Sequence, residues 1–197
     1  MKKVYSIIYN HWDKWFEERL FHWMRNDPTG LFCIYIEAED FTELKDFIRD
    51  KSKYPNNIFF NMGDDERILL KHLSNYSYMK YIDQNFNYFI WLSKDYSPDE
   101  KFSKWIEGYD TGLVWNEKRL AGMIYNISVQ WFSKDIFEKI YEEYYKKELP
   151  VDFDIDIHNS IVEHYLENEK KITTKYTANC RGLDCLNASH LYPLYAP

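Results

Sequence analysis

Four short apolar runs, separated by stretches of helical character, constrain the fold of this chain more than any other feature. They are Val4–Tyr9, Leu31–Ile36, Ile58–Met62 and Tyr88–Leu92. Each run is almost continuously apolar, which is typical of strands that are buried on both faces of a parallel sheet. The stretches between them are long enough for parallel crossover connections. The sequence therefore predicts an α/β fold in three layers, α/β/α, around a mostly parallel central sheet.

Helices are predicted between these runs because apolar residues recur there every three or four positions. The predicted helices of this first part cover 13–26, 41–51 and 66–84. The rest of the chain is less regular, with strands expected at 113–115, 128–132 and 172–176 and helices at 98–106, 134–147 and 157–167. No internal repeat or linker interrupts the pattern. We therefore expect a single domain over residues 1–197.

Charge and cysteine content exclude several classes of protein. The net charge is −7 and the lysines are dispersed among acids, whereas a nucleic-acid binder usually presents a basic stripe that neutralises phosphates. Cys33, Cys180 and Cys185 are too few and too unevenly spaced for a disulfide framework or a zinc site. No apolar stretch approaches the roughly 20 residues of a membrane span. These features predict a cytoplasmic protein with reduced thiols, no membrane span and no nucleic-acid partner.

Polar residues collect where the predicted strands end, although common site motifs are missing. The chain contains no G-x-G-x-x-G after the first strand, no Walker phosphate loop, no G-x-S-x-G and no H-E-x-x-H. In open α/β sheets, ligands bind at the carboxyl ends of the strands. The residues expected at those ends are Tyr9, Asn10, Glu37, Asp40, Asn61, Gly63, Asp64 and Asp95. We expect the functional site among these carboxylates and amides.

Three stretches, taken in order, resemble a known family. Residues 60–67 (FNMGDDER) are similar to an Asn-x-Gly turn after a third strand, and 88–95 (YFIWLSKD) lie where the family has a strand ending in Asp-x-Asp. Residues 128–139 (SVQWFSKDIFEK), followed by Asp154-Ile155-Asp156, resemble an acceptor half. From about Lys3 to Tyr176 the chain thus resembles nucleotide-sugar glycosyltransferases of the GT-A fold, of the family-two type. This implies a donor half at 1–95, an acceptor half at 96–176 and a tail or lid at 177–197.

The resemblance implies transfer of a sugar from a nucleoside-diphosphate donor to the hydroxyl of a glycan or other acceptor, metal-assisted and inverting. The implied donor contacts are Tyr9, Asn10, Glu37, Asn61, Gly63, Asp64, Arg67, Ser93 and Lys94. The implied ligands of a Mn²⁺ or Mg²⁺ ion are Asp95 and His190, and such an ion would neutralise the leaving diphosphate. Ser93 replaces the first Asp of Asp-x-Asp, which is a departure from the family's metal site.

The resemblance also implies that Asp156 is the base that deprotonates the acceptor hydroxyl. Asp154 lies two residues earlier and therefore on the same side of an extended segment. Two nearby carboxylates raise the pKa of one of them, which suits a base. The alternative for Asp156 is an N-cap of the helix predicted at 157–167.

Several of these residues have ordinary structural alternatives. Asp95 is also compatible with a turn or cap before Pro98, and Asp65 with the start of the following helix. Arg67 and Lys71 lie one turn apart, where exposed helix charges are the usual explanation and contact with a diphosphate is the alternative. His190 is compatible with an ordinary polar residue.

Two other functions remain open at this stage. The first is a nucleotidyltransferase, which shares the sheet, the acids and the metal but usually has a Gly-rich phosphate loop near the first strand, where this chain has no Gly. The second is a non-catalytic binding module that kept the fold and lost the Asp-x-Asp motif.

Overall fold

A computed structural model describes residues 1–9, 16–37, 45, 56–92, 102–116, 126–144 and 174–178. The strands in these ranges are β1 (Lys3–Tyr9), β2 (Leu31–Glu37), β3 (Ile58–Gly63), β4 (Tyr88–Leu92), β5 (Thr111–Asn116), β6 (Asn126–Ser133) and β7 (Thr174–Ala178). The helices are α1 (Phe16–Asn26), α2 (Ile68–Ile82), α3 (Phe102–Ile106) and α4 (Lys134–Tyr144). None of the described helices is both long enough and apolar enough to cross a membrane.

The seven strands form one sheet in the order β3-β2-β1-β4-β6-β5-β7. β1 pairs in parallel with β2 and β4, and β2 pairs in parallel with β3. β6 is antiparallel to both β4 and β5, while β7 is parallel to β5. Of these seven strands, β6 alone runs against the others. The prediction of a mostly parallel central sheet is confirmed.

Two apolar cores cover the two faces of the sheet, which makes the predicted three layers. On one face, alternate residues of β1, β2 and β4 pack with Leu20 and Trp23 of α1 and with Phe102 of α3. On the other face, the intervening residues pack against α2 and α4, with Tyr76 and Phe137 at the centre. The residues of β1, β2 and β4 are buried from both sides because a helix layer lies on each face, which is why these strands lack polar alternation.

A buried polar cluster interrupts the second core and ties α2 to the sheet. The side-chain amide of Asn75 donates to Ser6 Oγ of β1 at 2.9 Å and to the Cys33 carbonyl of β2 at 3.2 Å. Its carbonyl oxygen accepts a hydrogen bond of 3.0 Å from Asn61 of β3. Ser6 Oγ also lies 2.7 Å from Nδ1 of His72. We call Ser6, Asn61, His72 and Asn75 the polar seam; Ser6 and Asn75 are fully buried.

The amino ends of the strands are closed by a buried ion pair. Lys3 Nζ lies 2.8 Å from Oδ2 of Asp27, and both side chains are less than a tenth exposed. Tyr5 and Thr29 donate hydroxyl hydrogen bonds to the same carboxylate, at 2.7 and 3.0 Å. A buried pair is tolerated when further hydrogen bonds satisfy it, and Asp27 meets that condition. The cluster holds the connection between α1 and β2 against β1.

The structure differs from the sequence prediction mainly in element ends and strand direction. β7 lies two residues later than the predicted 172–176, and β5 and β6 are each longer than predicted. The predicted helices at 41–51 and 157–167 lie outside the described residues, apart from Lys45, which is helical. The α2 helix begins at Ile68 rather than at residue 66. Asp65 therefore does not start this helix, because its carboxylate and backbone N–H bond the hydroxyl of Tyr35 instead.

The polar seam predicts a large stability effect for Asn75→Leu. The substitution removes one hydrogen bond each from buried Ser6, from the Cys33 carbonyl and from half-buried Asn61, so the free energy of unfolding should fall by about 3 kcal/mol. Urea denaturation measures this change. Tyr81→Ala is the control, because Tyr81 is 89% exposed on the same helix and should change stability by less than about 0.5 kcal/mol. An Asn75→Leu protein as stable as the wild type would contradict the assigned role.

The contact between α2 and α4 predicts a pH-dependent contribution to stability. Burial pushes the pKa of the Glu138 carboxyl upward, but hydrogen bonds from Lys80 and Tyr76 outweigh this and leave that pKa below its ordinary value of 4.5. A carboxyl group whose pKa is lower in the folded state than in the unfolded state stabilises the folded protein at pH values above its unfolded-state pKa. This contribution is lost as the pH falls through the folded-state pKa. The stability gap between wild type and Glu138→Gln should therefore be widest near neutral pH and close below pH 4.5.

Urea denaturation between about pH 3 and pH 7 measures this gap. Glu142→Gln removes an exposed carboxylate one turn further along the same helix and serves as the control. A gap for Glu138→Gln that is constant over the whole pH range would contradict the prediction.

Candidate functional site

The carboxyl ends of β1, β2 and β3 lie side by side and bring three predicted site residues to one edge of the sheet. In register, Tyr9 faces Ile36, and Glu37 faces Gly63. β4, on the other side of β1, ends at Leu92 on this same edge. Parallel pairing alone makes these ends converge, so residues far apart in sequence share one surface. We call this surface the carboxyl edge.

An ion pair at the carboxyl edge joins the end of β2 to α2. The ammonium of Lys71 binds Oε1 of Glu37. Lys71 is only 4% exposed, and its Nζ lies 5.9 Å from the centroid of the Tyr35 ring. The expectation of an exposed helix charge at Lys71 is therefore wrong. The Glu37 side chain, in contrast, is 31% exposed, so it is the solvent-facing member of the pair.

Tyr35 holds the turn between β3 and α2. Its hydroxyl donates to Oδ2 of Asp65 at 3.1 Å and accepts from the backbone N–H of Asp65 at 2.9 Å. Burial raises the pKa of Tyr35 to about 12, and the nearby carboxylates of Asp65 and Asp64 add to the rise, so the hydroxyl remains a neutral donor. A Cβ on Gly63 would lie 2.3 Å from this hydroxyl oxygen. Glycine is thus required at position 63 for the ring to pass beneath the turn.

Arg19 of α1 contacts the last residue of β1, and the sequence patterns did not predict this contact. Its Nη1 donates to the hydroxyl of Tyr9 at 2.9 Å, and its guanidinium carbon is 5.8 Å from the Tyr9 ring centroid. Arg19 is 2% exposed. The position of Arg19 in the sequence could have indicated its burial, since it lies four residues before Trp23 and therefore on the same apolar face of α1. A charged residue on such a face indicates a buried polar role.

The remaining described candidates occupy different places around the same edge. The amide of Asn61 donates to Ser74 and Asn75 of α2, so it belongs to the polar seam. Asp64 is exposed in the turn after β3. Arg67 lies at the start of α2, where its backbone carbonyl accepts a 3.0 Å hydrogen bond from the N–H of Lys71.

Seven predicted site residues lie outside the described residues. They are Asn10, Ser93, Lys94, Asp95, Asp154, Asp156 and His190, and Asp40, expected at the end of the second strand, lies outside them as well. Within the described part of the chain, no group of three or more His, Cys, Asp or Glu side chains is arranged to hold a metal ion. The described acids at the carboxyl edge therefore do not themselves form a metal site, and the assignment of a metal to Asp95 and His190 stays a prediction.

The chemistry available at the carboxyl edge is recognition by hydrogen bonds and charge. Glu37 offers an accessible acceptor with a cation behind it, and Asp64 offers a second, exposed carboxylate. Tyr9, Arg19 and the Tyr35 turn are fixed by their own hydrogen bonds. Side chains held in this way lose little freedom when a ligand binds. The arrangement suits a polar ligand with hydroxyl or N–H donors.

The Tyr35–Gly63 contact predicts a measurable coupling between the two positions. Gly63→Ala should lower the free energy of unfolding by about 2 kcal/mol, because the new methyl group overlaps the tyrosine hydroxyl. In a Tyr35→Phe background the overlapping atom is gone, and the nearest remaining ring atom, Cζ, is 3.0 Å away. The same Ala substitution should then cost about 1 kcal/mol less. Additive effects in this double-mutant cycle would contradict the assigned contact.

Comparison with known proteins identifies the fold. No family model matches the sequence, and no curated protein matches it significantly. Among solved structures, the chain resembles 4-diphosphocytidyl-2C-methyl-D-erythritol synthase from Anaerococcus prevotii, with TM-score 0.62 and 16% identity over 91% of this chain and 90% of that one. It also resembles a nucleoside-diphosphate-sugar pyrophosphorylase from Vibrio cholerae, with TM-score 0.57 and 11% identity over 92% and 93%. The chain therefore has the Rossmann-like α/β/α fold of these nucleotidyltransferase-like proteins.

Proposed function

We propose that this chain binds a nucleoside phosphate at the carboxyl edge and acts as a nucleotidyltransferase. The observation that carries the proposal is the accessible carboxylate of Glu37, backed by Lys71, where adjacent parallel strands end. The likeness in fold to a diphosphocytidyl-methylerythritol synthase and a nucleoside-diphosphate-sugar pyrophosphorylase supports this class of reaction over glycosyl transfer. Such a reaction belongs in the cytoplasm, where nucleoside triphosphates are available.

In the proposed reaction, a phosphate oxygen of a sugar phosphate attacks the α-phosphorus of a nucleoside triphosphate. The bond between the α-phosphorus and the bridging oxygen breaks, and pyrophosphate leaves with its electron pair. Glu37 accepts hydrogen bonds from the ribose hydroxyls or a base N–H, and the turn at Asp64 borders the same ligand. A Mg²⁺ or Mn²⁺ ion, for which Asp95 is our candidate ligand, would neutralise charge on the leaving group.

Glycosyl transfer from a nucleotide sugar is the second candidate, and a sequence observation favours it. Residues 1–29 contain no glycine, so no Gly-rich phosphate loop follows β1. Asn61 and Gly63 match the Asn-x-Gly motif of glycosyltransferases in sequence, although both lie within β3 and not in a turn after it. In this case Asp156, with Asp154, is the proposed base, and the acceptor is a hydroxyl. The two reactions differ in products: one releases pyrophosphate from a triphosphate, and the other releases a nucleoside diphosphate from a nucleotide sugar.

Incubation with CTP and a panel of sugar 1-phosphates, with Mg²⁺ or Mn²⁺, tests the proposal directly. We expect release of pyrophosphate that depends on both substrates. A coupled phosphate assay measures this release. CTP is the first choice because one structural relative is named for a cytidyl product; UTP, ATP, GTP and dTTP complete the panel. Release of nucleoside diphosphate from nucleotide sugars, without pyrophosphate release, would instead establish glycosyl transfer.

The Glu37→Ala variant tests whether the ligand occupies the carboxyl edge. Its dissociation constant for the preferred nucleotide, measured by calorimetry, should rise at least tenfold, because charge-assisted hydrogen bonds to the ligand are lost. Glu107→Gln is the control, because Glu107 is an exposed acid that follows α3 at the opposite edge of the sheet. It should bind within twofold of the wild type. No nucleotide binding by the wild type would overturn the proposal.

A further inference from the structure

Lys71 lies at the proposed nucleotide site but is almost inaccessible to solvent. It is 4% exposed, whereas the side chain of its partner Glu37 is 31% exposed. The Lys71 ammonium binds Oε1 of Glu37, which leaves Oε2 for another partner. A ligand at this edge therefore contacts the Glu37 carboxylate, and the Lys71 ammonium lies behind that carboxylate, toward the protein interior.

The position of Lys71 is fixed by the polar seam. Asn75 lies four residues later on α2, so the two side chains lie on the same helix face. The hydrogen bonds of Asn75 to Ser6 and Cys33 set the rotation of that face against the sheet. Lys71 thus points at the end of β2. Its Nζ lies 5.9 Å from the centroid of the Tyr35 ring.

An unpaired carboxylate at this place would conflict with a phosphate ligand. The turn beside Glu37 already carries Asp64 and Asp65, and the phosphates of a nucleotide bring further negative charge. Like charges disfavour each other, and the effect is strong where solvent is partly excluded. A buried ammonium next to Glu37 cancels one of these charges without occupying the ligand's space.

We propose that Lys71 is a positioning residue that makes Glu37 compatible with a phosphorylated ligand. It fixes one oxygen of Glu37, so the other accepts a hydrogen bond from the ribose or the base, and it cancels the charge that would repel the phosphates. This proposal rests on the proposed function, because it assigns to the same site a dependence on ligand charge. Its consequence is that loss of Lys71 weakens binding more for each added phosphate.

Isothermal titration of cytidine, CMP and CDP into the wild type and five variants tests this proposal. For Lys71→Met, the ratio of the CDP affinity to the cytidine affinity should fall at least tenfold, with CMP between them. Lys71→Arg should keep the ratio within threefold of the wild type. The double variant Glu37→Gln with Lys71→Met removes both charges and should restore the ratio. Raising the salt concentration should shrink the effect of Lys71→Met, because ions screen partly exposed charges.

Two further variants and a thermal melt of every variant guard the test against a folding defect. Glu37→Gln alone keeps the Lys71 charge and should raise the CDP-to-cytidine ratio, a result that does not require the Lys71→Met protein to fold. Lys104→Met removes an exposed lysine from α3, on the opposite face of the sheet, and should leave the ratio unchanged. Thermal melts record whether each variant is folded.

The possible failures are distinguishable. If the wild type binds none of these ligands and none of the nucleoside triphosphates, the proposed function fails, and this inference fails with it. If the wild type binds CDP but Lys71→Met lowers the affinities for cytidine, CMP and CDP equally, the residue has only a structural role. In that case this inference is overturned and the proposed function stands.

Discussion

The buried amide of Asn75 is the interaction on which the rest of this structure depends. It satisfies groups on three strands at once, through Ser6, the Cys33 carbonyl and Asn61, in a core otherwise filled with aliphatic and aromatic side chains. Apolar packing alone tolerates small rotations of a helix, whereas a fully bonded amide permits one orientation. That orientation aims the face of α2, and with it Lys71, at the end of β2. The geometry of the candidate site is therefore a consequence of the core beneath it.

The two edges of the sheet differ in how their charges are satisfied. At the amino edge, Lys3 and Asp27 are both buried, and the hydroxyls of Tyr5 and Thr29 complete the carboxylate's hydrogen bonds. At the carboxyl edge, Lys71 is buried but Glu37 remains partly exposed. An incompletely enclosed carboxylate beside a fixed turn is able to bind a ligand, while the closed pair at the amino edge serves stability. This contrast is the physical basis for our proposal that a ligand binds at the carboxyl edge.

Local patterns predicted the central strands well, and long-range partners were the part that they missed. β4 coincides with the predicted Tyr88–Leu92, because burial on both faces leaves an unmistakable apolar run. An apolar run carries no direction, so the reversal of β6 was not predictable. Lys71 was expected to be exposed because its partner Glu37 lies 34 residues away in sequence. Arg19 was missed because its neighbour on the apolar helix face, Trp23, is an ordinary core residue. Of the predicted site, Tyr9, Glu37 and Gly63 lie at neighbouring strand ends, since parallel pairing alone collects them.

The most direct test of this account is a titration of the ¹⁵N-labelled protein with CTP and Mg²⁺, followed by NMR. The account predicts amide shifts that concentrate at the carboxyl edge, at Tyr9, Glu37, Gly63 and Asp64. Amides at the opposite edge, such as Thr29, Asn85 and Glu107, should remain in place. Shifts concentrated at that opposite edge, or no shifts with CTP or any other nucleoside triphosphate, would contradict the claim that this fold presents a nucleotide site where its parallel strands end.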